Sequence, residues 1–156
     1  MTFEEILARD GHLVYKTRGR SMEPLLRQDR DLVEIRVPGA RLNRFDVALY
    51  RRGPAYVLHR VVEVRPEGYL IRGDNTFVLE TVPDSAVIGV LASFVRKGKP
   101  HTVTERGYLR YVRFWNGIYP LRACWARVRT VGVHLARKLG LLPTLRRLLG
   151  RGGPRA

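Results

Sequence analysis

The chain has 156 residues, with 29 Lys and Arg against 14 Asp and Glu, and its one cysteine, Cys124, cannot form an internal disulfide. That length suits a single core with an appendage and leaves no room for two ordinary domains. The formal charge of +15 is uneven: residues 101–156 carry twelve Lys and Arg against one acid, Glu105, a block that attracts an anionic surface or a polyanion.

At the N-terminus Thr2 and Glu5 form a capping box, and Phe3, Ile6 and Leu7 supply one apolar side. A short helix to about Arg9 is expected, ended by Gly11. Glu4, Glu5, Arg9 and Asp10 leave this segment without the apolar core of a secretory signal. No later segment reaches the ~20 apolar residues of a membrane-spanning helix. The expected location is cytoplasmic, or peripheral at the inner membrane.

From residue 12 to residue 95 short apolar or alternating runs are punctuated by Gly and Pro, the pattern of a β domain. Strands are predicted over 12–17, 32–37, 47–50, 56–64, 69–71 and 86–95, with turns at Pro38-Gly39, Gly53-Pro54 and Pro66-Glu67-Gly68. In 32–37, Val33, Ile35 and Val37 alternate with Glu34 and Arg36, so that strand buries one face and wets the other.

After Lys97-Gly98-Lys99-Pro100 the period turns helical. Tyr108, Leu109, Val112 and Trp115 share one face, and Trp125, Val128, Leu135 and Leu139 share another. Gly117, Pro120, Gly140 and Pro143 divide the region into three short helices. The expected organisation is a β domain over 1–99 and a basic amphipathic helical extension over 100–156. An apolar stripe opposite arginines either lies in a membrane interface or packs on the β domain.

Three segments carry candidate chemistry. Ser21 lies between Gly19 and Pro24, which bracket a tight turn able to present a hydroxyl and backbone N–H groups. His59 lies in the strand Tyr56-Val57-Leu58-His59-Arg60-Val61-Val62, sharing a face with Val57 and Val61. A half-buried neutral imidazole there suits a general base. Asp74, in Gly73-Asp74-Asn75, follows a strand end, where it either caps its own turn or orients the imidazole; Glu80 and Asp84 compete for the orienting role.

In order and spacing, Gly19-Arg20-Ser21-Met22-Glu23-Pro24, His59-Arg60-Val61 and Gly73-Asp74-Asn75 resemble the three boxes of the S26 signal peptidases. The likeness is to the Ser-His branch found in the endoplasmic reticulum, archaea and some spore formers. Phe45-Asp46-Val47-Ala48-Leu49-Tyr50 and Val87-Ile88-Gly89-Val90 resemble two of that family's strands. The common bacterial enzymes and LexA-like repressors have a lysine base, which in the bacterial enzymes stands where this chain has His59.

The resemblance, over about residues 12 to 95, implies a mainly β, LexA/signal peptidase-like fold and a serine endopeptidase cleaving extended peptides after small residues. It implies Ser21 as nucleophile, His59 as base, and no metal or cofactor. The family's further acid falls, without gaps, on Glu80, so Asp74, Glu80 and Asp84 all stay open. Family members usually carry an N-terminal membrane anchor, which this sequence does not show. A leader peptide cut on the cytoplasmic side then becomes the expected substrate, with the basic tail held at a membrane or a partner. The competing reading is a non-catalytic, peptide-binding or LexA-like regulator whose tail binds nucleic acid. The roughly twenty residues ahead of Ser21 are too few for a helix-turn-helix, which disfavours DNA regulation.

Overall fold

The computed structural model describes residues 1–138. The third helix expected beyond Gly140 lies outside them. The chain divides into two compact units, Met1–Trp115 and a second beginning at Asn116, so the boundary falls well past residue 100.

The first unit is mainly β. Helix α1 (Phe3–Asp10) opens it with the expected capping box, Thr2 accepting from the Glu5 N–H and Glu5 Oε2 accepting from the Thr2 N–H at 2.9 Å, and Gly11 closes it. Strands β1 (His12–Lys16), β2 (Leu32–Arg36), β3 (Val47–Arg52), β4 (Ala55–Arg65), β5 (Gly68–Arg72), β6 (Glu80–Pro83), β7 (Val87–Arg96) and β8 (Lys99–Thr102) follow. They form one antiparallel sheet in the order β1-β2-β7-β3-β4-β5-β6, with β8 added to β7. Bulges interrupt the β2/β7, β3/β7 and β4/β5 ladders, and such insertions bend and twist a sheet.

Alternation sends the strands' side chains into two cores. Leu13, Val33, Ile35, Leu49, Leu58 and Leu91 pack with α1 and with Met22, Leu25 and Leu26. Ala48, Tyr50, Val61, Tyr69, Ile71 and Val82 form the other. Leu58 and Val61 thus fall into different cores, as period two along β4 requires. In β2, Val33 and Ile35 are buried as expected, whereas Val37 lies beyond the strand end and is exposed.

Two strands were not anticipated. β8 contains Pro100, but it pairs only with β7, and an edge position spares the missing N–H. Lys97 and Gly98, both at positive φ, make the hairpin turn, so Lys97-Gly98-Lys99-Pro100 ends no domain. β6, with Thr81 and Pro83 exposed, is likewise an edge strand too short to show a period.

Helix α2 (Arg106–Gly117) buries Tyr108 and Val112 in the first core, and Val112 alone contributes about 1.5–3 kcal/mol of apolar transfer. In the second unit, helix α3 (Tyr119–Lys138) holds Pro120 in its first turn, where a proline starts a helix rather than breaking it. Leu121, Trp125, Val128 and Val131 on α3 are all exposed. Among the described residues no helix is long and apolar enough to cross a membrane.

Candidate active site

A cavity of about 1150 Å³ opens in the first unit and brings Ser21 and His59 to one surface. Gly19, Met22 and Leu26 line it from the serine loop, Val57 and Leu58 from β4, and Thr76, Val78 and Glu80 from the segment entering β6. Phe3 and Tyr56 also line it, stacked with ring centroids 4.5 Å apart. No hydrogen bond joins Ser21 to His59.

The serine loop is anchored from both sides. Just after Ser21, Met22, Leu25 and Leu26 are driven into the core. Just before it, the Gly19 N–H donates to Gln28 Oε1 at 3.0 Å. The loop's outer face is held by the Gly73-Asp74-Asn75 segment: the Asn75 N–H donates to the Ser21 carbonyl at 2.7 Å, and Asn75 Nδ2 to the Arg20 carbonyl at 3.3 Å. Gly73 packs so closely that a Cβ there would lie 2.6 Å from the Ser21 carbonyl oxygen and 3.0 Å from Ser21 Cβ. Only glycine fits without moving the serine.

His59 is buried at 7 % exposure, on the face expected for it. Burial pushes its pKa below the usual 6.5; Glu80 and Asp74 pull upward and Arg52 downward. Its Nδ1 lies 3.3 Å from the Tyr50 hydroxyl, which donates its single proton to Glu80 Oε2 at 2.9 Å. The Tyr50 oxygen is therefore left to accept from Nδ1–H, which fixes the tautomer and leaves Nε2 with its lone pair. Burial, then the bond to Glu80, raise the Tyr50 pKa and keep that phenol protonated. Glu80 Oε1 is in turn paired with Arg52 at 2.8 Å.

The three candidate acids thus separate. Glu80 reaches His59 through Tyr50, which ends the strand-like stretch 45–50 and to which the sequence assigns no site role. Asp84 pairs with Arg41 at 3.0 Å beside the β5 turn. Asp74, 3 % exposed, receives both arms of Arg60, Nε to Oδ1 and Nη2 to Oδ2, each at 2.7 Å. Tyr111 also donates to Asp74 Oδ2 at 2.9 Å, and Trp115 Nε1 to the Asp74 carbonyl at 2.8 Å. The remaining Arg60 nitrogen donates to the Phe45 carbonyl and the Tyr108 hydroxyl. Burial alone would lower the Arg60 pKa, but Asp74 outweighs it and holds the guanidinium charged.

Among the described residues no group of three or more His, Cys, Asp or Glu is arranged to hold a metal ion. The chain matches no protein-family model and no curated protein.

Proposed function

We propose that the protein is a serine endopeptidase of the Ser-His type, with a LexA/signal peptidase-like fold, cutting a signal or leader peptide after a small residue. The observation that carries this reading is the relay from Glu80 through Tyr50 to His59, which presents a neutral imidazole in the same cavity as Ser21. Ser21 Oγ attacks the scissile carbonyl as Nε2 of His59 takes its proton. The same nitrogen then protonates the leaving amine, and water repeats the cycle on the acyl-enzyme. The Ser21 N–H serves as one oxyanion donor. Glu80, acting through Tyr50, is the orienting acid, and Asp74 anchors the loop that supports Ser21.

The substrate binds extended along β1. That strand pairs only with β2 among the described residues, and its Tyr15 and Lys16 line the cavity, so its outer edge can take a peptide strand. A biotinylated fluorophosphonate tests the reading: it labels the wild-type protein, and mass spectrometry maps the adduct to Ser21. A wild type that stays unlabelled favours the peptide-binding module instead.

The surface partner we propose is an anionic membrane. On α3, Leu121, Trp125 and Val128 follow one another at intervals of four and three residues and are each more than 60 % exposed. The helix carries Arg122, Arg127 and Arg129 and no acid, and Arg129 covers the Trp125 ring at 5.7 Å. Apolar stripe and arginines together suit the acyl boundary and headgroups of an anionic leaflet. Vesicles rich in phosphatidylglycerol should sediment the protein, with at least tenfold weaker binding to phosphatidylcholine alone or after Trp125→Ala. Failure to bind the anionic vesicles, with retention on duplex DNA, would point to nucleic acid instead.

A further inference from the structure

The hydrogen bonds that hold the serine loop continue past the three sequence boxes onto α2. Asp74 stands between two residues that touch Ser21, with Gly73 packed on its carbonyl and Asn75 donating to it. Asp74 is itself held at its backbone by Trp115 and at its side chain by Tyr111, two residues one helical turn apart whose rings stack 6.0 Å apart. Tyr108 and Val112 attach α2 to the first core and half-buried Tyr111 packs against it, while Tyr111 and Trp115 also direct polar atoms at the loop.

We propose that Tyr111 and Trp115 are positioning residues for Ser21: helix α2 fixes the 73–75 loop, and through it the distance and angle at which the serine meets His59. The inference rests on Ser21 being the nucleophile. It makes the region beyond residue 100 part of the catalytic apparatus, since losing either bond lets the loop, and with it the Ser21 carbonyl, shift. A displacement of about 1 Å at a reacting atom costs up to about 100-fold in rate without altering what the cavity binds.

The test uses the full chain with Tyr111→Phe, Trp115→Phe and the double variant, inactivated by increasing concentrations of a peptidyl phosphonate at 25 °C. Asp74 keeps Arg60 in all three, so folding is retained and is checked by melting. The expected result is a limiting inactivation rate at Ser21 about tenfold lower in each single variant and about 100-fold lower in the double. The half-saturating concentration stays within twofold. Phe114→Ala, at an exposed α2 position outside this network, should keep the wild-type rate. Wild-type inactivation rates in Tyr111→Phe and Trp115→Phe would overturn the inference and leave Ser21 standing as nucleophile. So would a loss that only tracks the unfolded fraction or appears only in half-saturation. A wild type that is not labelled at Ser21 would overturn both readings.

Discussion

Ser21→Ala and His59→Ala are each expected to lower the cleavage rate of an internally quenched peptide, with alanine before the scissile bond, by about 10⁴- to 10⁶-fold. The double variant should lose no more than the worse single one. Nucleophile and base act as a unit: without the imidazole the serine proton has nowhere to go, and without the serine the imidazole has nothing to activate. Additive losses would mean that the residues act independently, and retained cleavage in either single variant would remove it from the mechanism. KM should change little, because the β1 edge and cavity walls remain.

The same assay carries a pH signature. The working form of His59 is the neutral one, and burial, the largest influence on it, lowers its pKa below 6.5. The acid limb of kcat/KM should therefore be centred below pH 6.5, with activity level from there through neutrality. A limb centred above 6.5 would mean that Glu80 and Asp74 outweigh burial.

The β architecture was readable because its signals are local. Period-two runs separated by Gly and Pro located six strands, and Thr2, Glu5 and Gly11 located α1 with both ends. What stayed hidden depends on partners distant in sequence. Tyr50 ends a strand-like stretch that assigns its hydroxyl no role, and it reaches His59 because β3 and β4 are paired, with Ala48 opposite His59. Asp74 is conspicuous in its Gly-Asp-Asn setting, but its partner Arg60 sits beside His59 and points to the other face of β4. Nothing in the spacing says which of two neighbours an acid will meet. α2 was read as part of an appendage because its helical period gives a buried face without saying where that face packs.

Asp74→Ala is the substitution expected to cost the fold most. Asp74 and Arg60 are 3 % and 1 % exposed and joined by two bonds of 2.7 Å. Removing the carboxylate strands a guanidinium that cannot shed its proton, and breaking such a buried pair costs about 3–5 kcal/mol. At about 2–4 °C per kcal/mol for a chain of this size, the melting temperature should fall by about 6–20 °C. Urea titration should give a lower midpoint at unchanged slope, because the surface exposed on unfolding stays nearly the same. Arg60→Met with Asp74→Leu removes both charges and should be less damaging than Asp74→Ala alone, since no unpaired charge is left buried. If Asp74→Ala instead melts within about 1 kcal/mol of wild type, the buried pair does not carry the stability assigned to it. Equal stability of Asp74→Ala and the double variant would mean that the ion pair contributes nothing beyond its packing.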